Sequence, residues 1–176
     1  MKKYKILYVF GYGDSPDSEI IQNLKDKLNN KKFEIISDYY AQYNPKEAIY
    51  DLKNIIEKNN IDIIIGDNLG GYLVSLLDND LIKILINPLY NPSLELAEYE
   101  TTNIDDKGNE VTMKLVPEHI INFYKENKID FGKFDFDKTY CIFSVNDNYK
   151  EYSELCKNII KQSDPINGII ELLNHI

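Results

Sequence analysis

Gly66-Asp67-Asn68-Leu69-Gly70-Gly71-Tyr72 is the stretch whose reading decides the fold. Ile61-Asp62-Ile63-Ile64-Ile65 ahead of it reads as a buried strand, and Leu69 through Leu77 reads as a buried helix. Glycines at i and i+4 around a sharp strand-to-helix turn are the frame of the G-x-S-x-G pattern, a nucleophile elbow. That turn holds its central residue in a strained backbone conformation, and side chains on its flanks would collide, hence the glycines. The centre here is Asn68, where the pattern calls for Ser, Cys or Asp. An amide is not a nucleophile. The stretch therefore specifies architecture more sharply than chemistry.

On either side, short apolar runs alternate with helical periodicity, as in a parallel sheet wrapped by helices. Lys5 to Phe10 reads as the first strand, and residues 16 to 29 as a helix with Ile20, Ile21, Leu24 and Leu28 on one face. Ser15-Pro16 supplies a start signal for it, a capping hydroxyl followed by proline. Phe33 to Ile36 is a second strand, and Pro45 opens a helix striped by Ala48, Ile49, Leu52, Ile55 and Ile56. After the elbow come strands at Leu81 to Ile86 and Thr139 to Val145, a helix over 149 to 157, a strand at Asn158 to Lys161, and a terminal helix from Pro165. Residues 87 to 138 interrupt this order. Asn87-Pro88, Asn91-Pro92 and the polar stretch Thr101 to Glu110 break regular structure, with a helix returning near 117 to 126. An insertion of that length between sheet strands is expected to be a lid or an edge elaboration.

The bulk composition narrows the function. A chain of 176 residues suits one domain, 1–176, with 87–138 as its insertion. A net charge of -9 argues against nucleic acid and anionic membrane, which need a cationic footprint. Met1-Lys2-Lys3-Tyr4 leads straight into a strand, and no apolar run approaches a membrane span of about 18 residues. Cys141 and Cys156 read as two buried reduced thiols, with no disulfide framework and no metal site. The expectation is a soluble, cytoplasmic protein with no cofactor.

Several segments, in order, resemble the small bacterial YqiA/YcfP-type esterases (UPF0227-like) of the α/β-hydrolase superfamily. Tyr8-Val9-Phe10-Gly11-Tyr12-Gly13-Asp14-Ser15-Pro16-Asp17-Ser18 is similar to their first-strand segment, where His-Gly-Phe leads to Ser-Pro-x-Ser. The elbow resembles their G-x-S-L-G-G-Y. Asn87-Pro88-Leu89-Tyr90-Asn91-Pro92 resembles an N-P-x-x-x-P segment, and Glu118-His119-Ile120 an R-H-I segment of the lid region. Ser144-Val145-Asn146-Asp147-Asn148-Tyr149 resembles the loop with the acidic triad member. The resemblance implies a three-layer α/β fold: a mostly parallel sheet of about six strands, helices on both faces, and a short lid.

It also implies a triad, and there the chain departs. The elbow serine is Asn68, and the loop after the last strand, Gln162-Ser163-Asp164-Pro165-Ile166-Asn167, has no histidine. Asp147 holds the acid position with nothing to orient, and Phe10 replaces the histidine of His-Gly. A hydroxyl attacks only with a base in hydrogen-bond reach. Of the two histidines, His175 ends a helix running roughly 15 Å from the catalytic edge at about 1.5 Å per residue. His119, in the lid region, is the remaining candidate base, set against a lid-packing or surface role.

Other constellations are less productive. Gly11-Tyr12-Gly13 suggests a dinucleotide turn, but Pro16 replaces the third glycine, and Asp14, Asp17 and Glu19 would repel a phosphate. Asp67 is expected to form a hydrogen bond at the turn. Tyr39, Tyr40 and Tyr43 form either a partly buried aromatic loop or a recognition surface. By the superfamily's pattern, the amides of Tyr12 and Leu69 would be the oxyanion donors, with Phe10 and Gly11 beside them. The sequence therefore predicts an inactive esterase homologue that binds a small acyl or carboxylate ligand, or a protein partner, in the former active-site cleft. Its alternative is a working hydrolase with a rearranged site.

Overall fold

Residues 3–28, 32–126, 136–144, 156 and 158–175 are described by the computed structural model of the chain. Most of the expected helix over 149–157, and Asp147 with it, lie outside the described residues. Six strands form a parallel sheet: β1 (Tyr4–Val9), β2 (Phe33–Ile36), β3 (Ile63–Asp67), β4 (Ile82–Ile86), β7 (Thr139–Phe143) and β8 (Asn158–Lys161). Their spatial order is β2-β1-β3-β4-β7-β8. The runs Ile6 to Val9 and Ile63 to Ile65 are buried throughout, as expected of central parallel strands covered on both faces.

Helix α1 (Glu19–Leu28) joins β1 to β2 and touches α6 (Pro165–His175), while α2 (Pro45–Asn59) touches α3 (Leu69–Ser75). The β1-to-β2 crossover runs one way across the sheet while the β2-to-β3 and β3-to-β4 crossovers run the other, and right-handed connection in each puts these two pairs on opposite faces of the sheet. The start of α2 is as the sequence predicts. Pro45 takes the first helical position, and Asn44 Oδ1 accepts from Lys46 N–H at 3.0 Å. Helix α1 starts later than Ser15-Pro16 suggests. The chain first closes a turn in which Ser18 N–H donates to Ser15 C=O, and Ser18 then accepts from Ile21 and Gln22. Pro16 is thus the second residue of a turn, where its fixed φ is equally at home.

The insertion between β4 and β7 holds more regular structure than expected. A short α4 (Pro92–Glu95) runs into a 3₁₀ turn at Leu96–Glu98, followed by an antiparallel hairpin of β5 (Glu100–Ile104) and β6 (Glu110–Lys114), then α5 (Glu118–Glu126). The polar stretch was expected to break structure and instead pairs. Its turn, Asp105 to Asn109, is closed by Asp105 Oδ1 accepting from Lys107 and Asn109, with Gly108 at φ 82°.

The cysteine expectation also needs correction. Cys141 on β7 and Cys156 are joined as a disulfide, their Cα atoms 6.0 Å apart. Pairing of β8 with β7 brings Ile159 opposite Cys141, so a residue just ahead of β8 arrives beside it. Fifteen residues of separation hid this in the sequence. No helix among the described residues is long and apolar enough to cross a membrane.

Candidate functional site around Asn68

Strands β1 and β3 are neighbours, yet the chain leaves β1 towards β2 and leaves β3 towards β4. That reversal is the topological switch point of an open α/β sheet, where the strand ends leave a crevice. The two loops bordering it are Gly11 to Asp14 after β1, and Asn68 after β3.

Asn68 has φ 51° and ψ -115°, outside the regions an L-residue occupies at rest. Such a conformation costs on the order of 1–3 kcal/mol and persists only where its surroundings enforce it. The enforcement comes from glycines. A Cβ on Gly70 would lie 2.1 Å from the Val9 carbonyl oxygen, and one on Gly66 would lie 2.6 Å from the Gly70 carbonyl oxygen. A Cβ on Gly71 would meet Pro88 at 2.8 Å. The Asn68 backbone is also tied down: its N–H donates to Ile86 C=O, and its C=O accepts from Tyr72 and Leu89. The nucleophile geometry is present without a nucleophile.

The side chain turns back on the turn itself. Asn68 Oδ1 accepts from Leu69 N–H at 2.9 Å and from the Tyr99 hydroxyl at 2.9 Å. The Leu69 amide, one of the two expected oxyanion donors, is therefore occupied by the protein's own oxygen. Tyr12 N–H, the other, has no acceptor among the described residues, and neither does Asn68 Nδ2. Gly11 passes close enough that a Cβ there would sit 3.2 Å from Asn68 Cβ. Gln42 braces this loop, accepting from Gly13 N–H at 2.9 Å and donating to Gly11 and Asp14 carbonyls at 3.2 Å each.

Beneath Asn68, the Tyr8 hydroxyl donates to Asp67 Oδ2 at 3.1 Å. Burial pushes the Asp67 carboxyl up to about 6; the Tyr8 hydrogen bond pulls against this and the charge of Asp14 adds to it. Burial likewise raises Tyr8, Tyr40 and Tyr99 above the ordinary tyrosine value. These phenols act as neutral donors. Tyr40 gives its hydroxyl to Phe10 C=O and packs its ring 5.0 Å from that of Phe10. Of the three clustered tyrosines it alone is buried; Tyr39 and Tyr43 are exposed.

The insertion closes over this corner through further tyrosines. Tyr99, between the 3₁₀ turn and β5, reaches Asn68. Tyr124 of α5 donates to Gln42 C=O at 2.7 Å and packs edge-on against Tyr72 of α3. Neither Tyr99 nor Tyr124 stood out in the sequence, because nothing in local spacing links a residue 31 positions on to the elbow.

The remaining expected site residues are dispersed. Phe10 and Leu69 are almost fully buried, so their side chains belong to the core, whereas Tyr12 is half-buried at the crevice. His119 is exposed on α5, and no hydrogen bond links it to Asn68 among the described residues. His175 is exposed at the last residue of α6. Asp147 lies outside the described residues, but the exit of β7 is at the same sheet edge as the elbow. Asn87 staples it there: its Oδ1 accepts from Ser144 N–H at 3.0 Å, and its Nδ2 donates to Ser144 Oγ at 3.1 Å. No cluster of metal-ligating side chains occurs among the described residues.

Solved structures with this architecture are enzymes and relatives of the α/β-hydrolase fold. Est1E from Butyrivibrio proteoclasticus, with ferulic acid bound, superposes with a TM-score of 0.69 at 14% identity, covering 99% of this chain and 89% of that one. Alpha/beta hydrolase domain-containing protein 10 from mouse gives 0.67 at 12% identity, covering 99% and 91%. Tomato Methylketone Synthase I, complexed with 2-tridecanone, gives 0.62 at 10% identity, covering 99% of each. At these identities the likeness is one of fold. No curated protein matches the chain. A family model does match, over residues 5–157, and by that match the chain belongs to UPF0227, an uncharacterised protein family with the α/β-hydrolase fold.

Proposed function

We propose that this chain is a non-hydrolytic α/β-hydrolase homologue that holds a neutral acyl or keto carbonyl at the elbow. The observation that carries the reading is the Asn68 side chain. Its oxygen takes the Leu69 amide, the donor that hydrolases of this fold turn towards a developing oxyanion. Its Nδ2 and the Tyr12 N–H then remain to donate to a ligand oxygen. Asp67, Asp14 and Glu95 all bring negative charge to the turn and its Tyr99 partner, which favours a neutral carbonyl over a carboxylate. The ferulic acid and 2-tridecanone complexes of structurally similar proteins make acyl and keto compounds the sensible probes.

Hydrolysis is tested directly. Loss of both nucleophile and base costs on the order of 10⁶ in kcat. We expect no turnover of aryl esters above background and no labelling by serine-directed phosphonates, and no rescue by Asn68→Ser alone, since the base is missing too. Stoichiometric labelling would establish the rearranged hydrolase instead, and a fast Asn68→Ser esterase would show that a base such as His119 is already in place. Binding is tested by ligand-observed NMR at neutral pH with a methyl ketone, a short ester and the matching fatty acid. The ketone and ester should bind and the carboxylate less; folded Asn68→Asp, which keeps an oxygen for the Leu69 amide but puts a charged oxygen in place of Nδ2, should lose all of them. Equal binding by native and Asn68→Asp protein would overturn the assignment to the elbow.

A further inference from the structure

The hairpin leaves its β6 edge open, and the sequence along that edge is complementary to itself. Leu115 N–H donates to Tyr99 C=O at 2.8 Å, and Asp105 N–H to Asn109 C=O at 2.9 Å. In an antiparallel ladder the backbone groups alternate in direction, so residues 109, 111, 113 and 115 point theirs at β5. Glu110, Thr112 and Lys114 therefore point their N–H and C=O groups outward. Strand β6 has no second neighbour among the described residues. An open edge of this kind is a template for another strand.

Placing a two-fold axis at Thr112 pairs Glu110-Val111-Thr112-Met113-Lys114 with its own copy. Thr112 then faces Thr112, and Glu110 faces Lys114 at both ends. All the outward-pointing residues fall in hydrogen-bonded pairs, which gives six backbone hydrogen bonds across the axis. Val111 faces Met113 in the intervening, closer pairs, and these two side chains are 40% and 53% exposed in the single chain. Lys114, already ion-paired with Glu100 across the hairpin, gains a second carboxylate from the opposite Glu110. The other open edge does not match in this way. Self-pairing of β5 would set Glu100 against Ile104.

We infer that β6 is the interface of a two-fold dimer of this chain, in which two hairpins join as a four-stranded antiparallel sheet. Two strands alone are marginal in water, whereas four with a shared apolar face are not. The contact is isologous and therefore closed, so it ends at two copies. Its small area places it among the weak, concentration-dependent interfaces.

Sedimentation velocity of the full chain, from ~10 to ~500 μM, reads the association. The native protein should pass from monomer to dimer across this range. Thr112→Pro removes an N–H that the hairpin does not use, and proline is tolerated on an edge strand. It should leave the circular dichroism unchanged and raise the dissociation constant by at least ~10-fold, since two of the six hydrogen bonds go. The register is tested by charge. Glu110→Lys and Lys114→Glu should each be monomeric alone, like charges then facing each other, while an equimolar mixture should form the heterodimer. A native chain that stays monomeric throughout, a dimer indifferent to Thr112→Pro, or variants that fail to associate on mixing would overturn the proposal. Capture of an unrelated extended peptide along β6 in place of a second copy would overturn it as well.

Discussion

Between Gly66 and Val74 almost nothing reaches solvent, whereas between Glu100 and Lys114 almost everything does. The first follows a strand of the six-stranded sheet and the second is a two-stranded sheet of its own, and Tyr99, just ahead of the second, reaches the first at Asn68. They are held by different physics. The elbow is enforced from all sides by backbone that tolerates no side chain, so its strained geometry survives whatever residue stands at 68. The hairpin is held by its own ladder, a capped turn and the Lys114–Glu100 ion pair. Packing therefore fixes the shape of the turn, while the identity of residue 68 is one side chain that packing barely notices.

The comparison is broken most severely by adding one methyl group to each region. Gly70→Ala would drive a Cβ to 2.1 Å from the Val9 carbonyl oxygen, where neither atom belongs to a flexible side chain. We expect a loss of more than about 3 kcal/mol, or no folding at all. Gly108→Ala meets nothing within 4 Å and suffers only its positive φ of 82°, a cost of roughly 1–2 kcal/mol confined to the hairpin. Urea midpoints at a common m-value measure both. Equal losses would mean that the two regions are not held differently after all.

A second, smaller effect tests the charge beneath the elbow. Asp67 has its carboxyl raised from 3.8 to about 6 in the folded chain, with burial as the main cause. Between about pH 4 and about pH 6 the folded state therefore keeps a proton that the unfolded state has released. Stability contributed by this group falls as pH rises through that window, by on the order of 3 kcal/mol, and is level above it. Asp67→Asn should remove the slope, so the difference between the two proteins' unfolding free energies should change across the window. A difference that stays flat would mean that water already reaches the carboxyl. No comparable slope is expected from the hairpin's Asp105. Its carboxyl is instead lowered by the hydrogen bonds it accepts within the turn, so any stability it contributes is lost as pH falls, the opposite sense.

What could be read in the sequence follows the same division. Gly66 and Gly70 flanking Asn68, with Ile63 to Ile65 before them, report a local steric requirement, and local requirements are written in adjacent residues. The strands at Phe33–Ile36 and Asn158–Lys161 were legible for the same reason: short apolar runs between turn signals. The hairpin was missed because its strands are Thr-, Asn- and Glu-bearing and mostly solvent-exposed, so no burial pattern marks them. Tyr99 was missed because it reaches Asn68 through the geometry of an insertion, which no periodicity encodes. The occupied Leu69 amide was missed for a subtler reason. Asparagine at 68 reads as an absent nucleophile, yet its short amide also supplies an acceptor that folds back one residue.

The finest test isolates the link between the two regions. Tyr99 is where the hairpin's end of the insertion meets the elbow, through one hydroxyl given to Asn68 Oδ1. Tyr99→Phe keeps the ring and removes that donor, while Asn68 Oδ1 retains the Leu69 N–H and is exposed enough for water to take the vacant lone pair. The expected global loss is therefore about 1 kcal/mol or less. The more telling readout is native-state hydrogen exchange. If the hairpin depends on the elbow for its order, the Leu115 amide, bonded to Tyr99 C=O, should exchange faster in Tyr99→Phe. The Tyr72 amide, bonded to Asn68 C=O inside the packed elbow, should be unchanged. Faster exchange at both would show that the hairpin's tyrosine helps to hold the strained turn. The glycine cushions would then be insufficient on their own, and the elbow would owe part of its geometry to the insertion above it.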